Sequence, residues 1–545
     1  MQISRPRLRI ETLVGLVALY LVACGNVPWW RAVLAGRPIA APGSWAFAAC
    51  TFVALAAAHF LLLIVLSSRW TVRPVLTLAV VVTILAAYYM DRYGVLLDPT
   101  MLRNIVRTDP REAREFVTVA VFLHTLAWSA LPLGLIWWVK LEQRTFWRAL
   151  VVRGALALGA AVLALVALLP IARDFLSLMR NHRELRYLVT PGNLVASLVH
   201  NARIDLRAAQ QPKIVVGADA VRNSTRKRPV LFVLALGETA RAANFSLLGY
   251  ARQTNPELAT RGVTAFRNVT ACGTSTEVSV PCMFSPYGRA DFDEERIHNS
   301  ESLLDVLRRA GFAVEWYDNQ SGCKGVCTGN GIGFNKMGAT FAPDLCDGAD
   351  CLDDILVRAL EKKLAEVTTD TVVVLHLLGN HGPAYHRRYP PAFRRFTPDC
   401  QTAELRDCTR EEVVNAYDNA ILYTDHVLAE LIDRLAAAEE RLDTALLYVS
   451  DHGESLGEAG LYLHGIPYAI APRVQTHVPM VSWLSPGFTE SSGLLPACLA
   501  TRVDEPLSHD HLFHSVLGVL DVTSSAYRRE RDLFAPCRKA DTEVS

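Results

Sequence analysis

Apolar residues recur along this chain in two different rhythms. Over the first third they form long runs nearly free of charge, at residues 12–30, 45–66, 72–90, 117–139 and 149–172. A helix needs about 20 apolar residues to cross a bilayer, and each run is of that order. Five membrane-spanning helices are therefore predicted. Arg5, Arg7 and Arg9 ahead of the first run would also suit a signal peptide, but four comparable runs follow and no small-residue cleavage site does. Between the third and fourth runs, residues 91–116 place Leu96, Leu97, Met101, Leu102, Ile105 and Val106 among charges. That pattern suits a short amphipathic helix, on the membrane face or packed on a soluble domain. Residues 175–188 read as a second interfacial helix, and the polar stretches between Ala208 and Pro229 as a linker.

From Pro229 the rhythm changes to short apolar runs alternating with helical ones. Residues 230–236, 313–317, 371–378, 444–449 and 478–484 predict strands, and 302–310, 352–367, 411–438 and 511–520 predict helices. Such alternation implies an α/β domain with a mostly parallel sheet covered by helices. The expected organisation is a transmembrane domain of five helices (1–172), an interfacial helix and linker (173–228) and a soluble catalytic domain (229–545). No repeat or low-complexity segment interrupts it.

Composition adds two constraints. The net charge of +1 over 545 residues argues against a general nucleic-acid binder. Lys and Arg are spread almost evenly over both sets of loops, so they do not orient the spans. Cysteine does. Cys24 and Cys50 lie in membrane runs, and the other ten of the 12 fall in the C-terminal part. They form the sequence pairs Cys272/Cys282, Cys323/Cys327, Cys346/Cys351 and Cys400/Cys408, with Cys498 and Cys537 left to each other. Local pairs of this kind read as a disulfide framework, which needs an oxidising compartment. The soluble domain is expected outside the cytoplasm, with the N-terminus inside.

The chemistry gathers where predicted strands end. Residues 268–285 hold Thr274, Ser275 and Thr276 between Cys272 and Cys282, and lead into a helix start whose free N–H groups favour a phosphate. Glu238 ends the first strand of the domain, Asp451 and His452 end the one near Thr444, and His381 follows the one near Thr371. Active residues of parallel sheets sit beyond the carboxyl ends of strands, so these groups converge on one rim. A Glu/Asp/His set suits four-coordinate zinc. A threonine hydroxyl needs such a metal beside it to react at neutral pH. Taken singly, each is an ordinary turn or capping residue; it is the combination that points to a metal-activated nucleophile. His376 is expected in the core behind the site, and His509, His511 and His514 at the surface.

Several motifs carry a family resemblance. Gly237-Glu-Thr-Ala-Arg241, Cys272-Gly-Thr-Ser-Thr276, Ser279-Val-Pro-Cys-Met-Phe-Ser285, Cys323-Lys-Gly-Val-Cys327, Ser450-Asp-His-Gly-Glu-Ser455 and Tyr462-Leu-His-Gly465 resemble the phosphoethanolamine transferases that modify lipid A. That group includes the mobile colistin-resistance enzymes. The resemblance implies an alkaline phosphatase/sulfatase-like ectodomain with Thr276 as nucleophile. It implies one tightly bound Zn2+ held by Glu238, Thr276, Asp451 and His452, with His381 and His464 holding a second zinc during turnover or the substrate phosphate. Lys324, Thr274 and Glu454 are implied on the substrate side. Glu277, directly after the nucleophile, is more acidic than the family pattern.

The implied reaction moves phosphoethanolamine from phosphatidylethanolamine to lipid A phosphates through a phosphoethanolamine–threonine intermediate. The implied setting is a bacterial inner membrane, multi-pass, with the catalytic domain in the periplasm. The bilayer is the partner, the enzyme is a monomer, and the outcome is resistance to polymyxins and other cationic peptides. Rival readings are transfer to lipopolysaccharide core sugars, a phosphoglycerol transferase of the lipoteichoic acid synthase type, and a catalytically silent membrane scaffold. The cysteine-rich ectodomain argues against the second.

Overall fold

The computed structural model describes residues 5–208, 212–223, 226–348 and 350–539. Within the predicted linker, residues 209–211 and 224–225 lie outside the described residues. The chain forms two compact units, one comprising Met1–Leu102 with Val117–Ala202 and the other Arg103–Phe116 with Arg203–Ser545.

In the first unit, Pro42–Leu66, Val72–Tyr93, Val119–Trp138 and Phe146–Asn181 are each long and apolar enough to cross a membrane. The first predicted span is not one straight helix. Ile10–Gly25 and Val27–Leu34 meet at a bend of 58°, so the count is four spans, or five if this pair is one broken span. The break falls at Asn26-Val27-Pro28, where Pro28 cannot donate a helical hydrogen bond. Asn26 makes up for the interruption: its side-chain amide donates to the Leu21 and Thr190 carbonyls at 2.9 and 2.8 Å, and its oxygen accepts from the Thr190 N–H at 2.8 Å. Leu13, Val17, Leu21, Leu63, Leu76, Val80 and Ile136 form the interior of this unit. Leu131, Leu158 and Leu165 point outward, as helices whose own backbone bonds are satisfied can do in lipid. The helical stretch expected near 175–188 is present as Ala172–Asn181 and a 3₁₀ turn over Arg183–Leu188.

The second unit is built on an eight-stranded sheet. Its strands are β1 (Val230–Gly237), β2 (Thr264–Thr270), β3 (Ala313–Asp318), β4 (Ile332–Lys336), β5 (Thr371–His376), β6 (Asp443–Ser450), β7 (His477–Leu484) and β8 (Leu507–Ser508). They lie in the order β8-β2-β7-β6-β1-β5-β3-β4. Only β7 runs against its neighbours; every other pairing is parallel. In β1, β5 and β6 every residue is buried, which is why they read as near-continuous apolar runs. Covering helices include α1 (Thr276–Met283), α2 (Leu303–Arg309), α3 (Asp354–Glu366) and α4 (Arg410–Ala437). Capping boxes start two of them, Ser302 with Asp305 at α2 and Thr409 with Glu412 at α4.

Register decides where the chemistry lies. Ser450 pairs with Gly237 and His376 with Leu236, while His376 also pairs with Asp318. The carboxyl ends of β6, β1, β5 and β3 therefore align on one rim, and the next residues of β6 and β1 are Asp451 and Glu238.

Candidate active site and metal centre

Glu238, Asp451 and His452 come together at that rim, all three fully buried, with potential ligand atoms within 4.8 Å of one another. The turn after β1 aims Glu238 inward by a left-handed backbone at Thr239 (φ 59°). A non-glycine residue holds such a conformation only when its surroundings impose it. They do here: the Tyr417 hydroxyl of α4 donates to the Thr239 carbonyl at 2.7 Å and accepts from the Arg241 N–H at 2.9 Å. The Ala240 N–H donates to the Ser450 hydroxyl at 2.8 Å, tying this turn to the end of β6.

The three hydroxyls left open by chemistry separate clearly. Thr276 Oγ1 donates to the Glu238 carboxylate at 3.0 and 3.2 Å and lies 3.4 Å from His452 Nε2. Thr274 faces elsewhere, donating to the Ile466 carbonyl at 2.8 Å while its own carbonyl accepts from the Gly465 N–H at 2.8 Å. It steadies the segment that carries His464. Ser275 is the residue preceding α1, and Thr276 opens that helix, where first-turn N–H groups lack intrahelical acceptors.

The donor set suits a divalent metal. His452 Nδ1 donates to the Gly453 carbonyl at 2.9 Å, which leaves Nε2 facing the carboxylates, 3.4 Å from Glu238 Oε1 and from Asp451 Oδ2. Asp451 Oδ1 accepts from the Thr239 and His452 N–H groups, whereas Oδ2 is buried with no hydrogen bond. A buried carboxylate oxygen in that condition is costly unless a cation meets it. Without metal, a proton fills the role. Burial opposes a charged His452, but the Asp451 and Glu238 carboxylates outweigh it and raise its pKa to about 10. Burial also resists charge on Glu238, yet its hydrogen bond to His452 and the imidazolium charge bring it well below the usual carboxylate range. Burial, then repulsion from Glu238, lifts Asp451 to about 7.

A second histidine pair adjoins this cluster. The His464 ring lies 4.3 Å from that of His452 and 6.0 Å from that of His381, centroid to centroid. Burial lowers both His381 and His464 to about 3, so both are neutral and keep a lone pair. Gly379 sets the His381 turn with φ 55°, where a Cβ would stand 2.8 Å from the Glu238 carbonyl oxygen. Asp353 fixes that turn by accepting the Leu378 and Gly379 N–H groups at 2.8 Å each. Glu454 is buried 3.5 Å from His464 Nδ1, and burial pushes its carboxyl well above the ordinary range. Lys324 is not brought into the cluster; its ammonium donates to the Ser321 hydroxyl at 2.6 Å.

Other residues around the site were not expected. Gln320 donates to Glu238 Oε2 at 3.1 Å from beyond the end of β3, and Thr239 donates to Oε1 at 2.6 Å. The polar run Asp318-Asn-Gln-Ser321 after an apolar strand was the available signal. The histidines expected at the surface are not all there: His509 and His514 are fully buried. His509 Nδ1 accepts from the Cys272 N–H at 3.0 Å and Nε2 donates to the Ser450 carbonyl at 2.9 Å, joining the segment that leads to Thr276 to the end of β6. Burial lowers its pKa to about 4, which keeps the neutral tautomer this bridge requires. His376 lies in the core as expected, its Nδ1 2.9 Å from Asp318 Oδ1. Disulfides join Cys272–Cys282, Cys323–Cys327, Cys346–Cys351, Cys400–Cys408 and Cys498–Cys537.

Comparison with known proteins covers both units. The sulfatase family matches residues 231–522, and the phosphoethanolamine transferase EptA/EptB family matches residues 55–206. The chain is 38% identical over 545 residues to phosphoethanolamine transferase EptA of Escherichia coli K12, covering 98% of each. It is 36% identical to phosphatidylethanolamine transferase Mcr-1 of Escherichia coli, covering 94% of this chain and 95% of that one. The solved structure of the integral membrane lipooligosaccharide phosphoethanolamine transferase A of Neisseria meningitidis superposes with a TM-score of 0.92 at 35% identity, over 98% of this chain and all of that one.

Proposed function

The chain belongs to the phosphoethanolamine transferase family, and on that premise we propose that it moves phosphoethanolamine from phosphatidylethanolamine to the phosphates of lipid A with Thr276 as nucleophile. It is a membrane-embedded enzyme with a helical N-terminal region and a periplasmic catalytic domain. The observation that carries the site assignment is Thr276 Oγ1 within 3.0–3.4 Å of both Glu238 and His452, which cluster with Asp451.

Glu238, Thr276, Asp451 and His452 would hold one Zn2+, and His381 with His464 a second during turnover. Zinc at such a site supplies Lewis-acid stabilisation of oxyanions and lets a hydroxyl react at neutral pH. The chain's own groups do the rest. Glu238 accepts the hydrogen bond of the Thr276 hydroxyl and orients it. The Thr276 hydroxyl proton passes to the Glu238 carboxylate as Oγ1 bonds to the donor phosphorus, the bond from phosphorus to the diacylglycerol oxygen breaks, and that oxygen takes up a proton from solvent. The N–H groups opening α1 meet the phosphoryl oxygens. A lipid A phosphate oxygen then attacks the same phosphorus, the bond to Thr276 breaks, and the hydroxyl is restored. His381 and His464, neutral and lone-pair bearing, lie where a leaving or entering oxygen needs a partner. The added ethanolamine amine offsets negative charge on lipid A and weakens its attraction for cationic peptides.

Incubation with phosphatidylethanolamine and no acceptor, followed by peptide mass spectrometry, tests this directly. Phosphoethanolamine on Thr276 is expected; an adduct on Thr274 or Ser275 would overturn the assignment.

A further inference from the structure

The acidic residue directly after Thr276 has a partner far away in sequence. Glu277 sits in the first turn of α1, next to Thr276, with its side chain 1% exposed. Its Oε1 accepts from Arg107 Nη1 at 2.5 Å, across 170 positions of sequence, and its Oε2 is buried without a hydrogen bond. Arg107 Nη2 also reaches Asp205 at 3.2 Å. Arg107 belongs to the segment Arg103–Phe116, which packs as part of the catalytic unit. The same segment is gripped at its other end, where the buried Glu115 accepts from Arg388 Nη2 at 2.5 Å. Arg388 Nε in turn donates to the His381 carbonyl at 2.7 Å. Arg103 pairs with Glu294, and Lys336 stands 3.6 Å from Asp109.

We propose that the Arg107–Glu277 ion pair is a clasp that positions the nucleophile, fixing the first turn of α1 against the Arg103–Phe116 segment so that Thr276 keeps its place beside Glu238. A buried carboxylate that loses the cation hydrogen-bonded to it is strongly disfavoured, so Glu277 is held where Arg107 can reach it. Successive helical residues point about 100° apart. The turn that directs Glu277 to the clasp therefore directs Thr276 to the site, and the two side chains move together. The Glu115–Arg388 pair does the same for the His381 turn, so one segment braces both halves of the proposed site. Glu277 and Arg107 are positioning residues; neither touches the reacting atoms in this scheme. The inference rests on the proposed transfer reaction for its kinetic part only.

The test uses the full-length enzyme with Glu277→Ala, Arg107→Ala, the double variant and the exchanged pair Glu277→Arg with Arg107→Glu. Without substrate, hydrogen exchange over residues 103–116 and 276–283 should rise in each single variant. With phosphatidylethanolamine, each single variant should lose on the order of 10- to 100-fold in kcat, as small misplacements of a reacting group do. Metal content per chain should stay at the native level. The double variant should be no worse than the poorer single one, and the exchanged pair should recover part of the loss. The double variant leaves no buried Glu277 carboxylate unpaired, and the Asp205 it releases is half-exposed, so it decides the matter should Arg107→Ala fail to fold. Unchanged exchange, unchanged kcat, additive losses in the double variant, or metal lost in step with kcat would each overturn the clasp. Absence of transfer by the native enzyme would instead refute the function, and the exchange measurement would still judge the clasp.

Discussion

Thr276 is singled out by its neighbours Glu238 and His452 rather than by its own type. Thr274, two residues earlier, has the same hydroxyl but spends it on the Ile466 carbonyl. Such a distinction was legible only in part: the motif resemblance and nearness to the expected helix start favoured Thr276, while the contacts that occupy Thr274 come from Gly465 and Ile466, nearly 200 residues on. Glu238, Asp451 and His452 were legible because they lie within two residues of the end of an apolar strand. Arg107 was not, because nothing local marks the partner of Glu277. At this scale the cluster makes a prediction about pH. A metal held by His452 would displace the proton that this imidazole carries, its pKa raised to about 10. Between pH 7 and that value, binding releases one proton, so metal affinity should rise about tenfold per pH unit. Chelator competition across pH measures it; a flat profile would mean that His452 binds no metal.

Elements fared according to how much apolar signal they carry. The fully buried β1, β5 and β6 read plainly from sequence. β4, Ile332-Gly-Phe-Asn-Lys336, did not, because an edge strand needs few apolar residues. β2 alternates weakly, with Arg267 and Thr270 exposed. The bend in the first span was hidden because Asn26 sits in an otherwise apolar run, and only the Thr190 backbone shows how that polar side chain is satisfied. The element that matters most to the site is the turn into α1, held between Cys272 and Cys282. Closing so short a loop is worth about 2–3 kcal/mol by chain entropy, modest for a domain this size. Replacing both cysteines by serine should lower the melting temperature by a few degrees at most, yet reduce kcat substantially, since the loop carries Thr276. Equal thermal and kinetic insensitivity in calorimetry and transfer assays would show that the bridge does not position the nucleophile.

On the scale of the whole molecule, both substrates of the proposed reaction are lipids, which is a reason for a sulfatase-like domain to carry membrane spans. The two rhythms of the sequence made that division legible. The assignment of residues 103–116 to the catalytic unit was not, because their pattern fits a membrane surface equally well, and it is the ion pairs to Glu277, Glu294, Lys336 and Arg388 that tie them there. The central claim joins both scales: this chain, through Thr276, decorates lipid A. Mass analysis of lipid A from cells producing the native enzyme, Thr276→Ala or Thr276→Ser tests it most directly. Native enzyme should add phosphoethanolamine to lipid A phosphates, Thr276→Ala none, and Thr276→Ser a reduced amount, since the oxygen remains but its β-branched restraint is gone. Unmodified lipid A with native enzyme, or full modification with Thr276→Ala, would contradict the account.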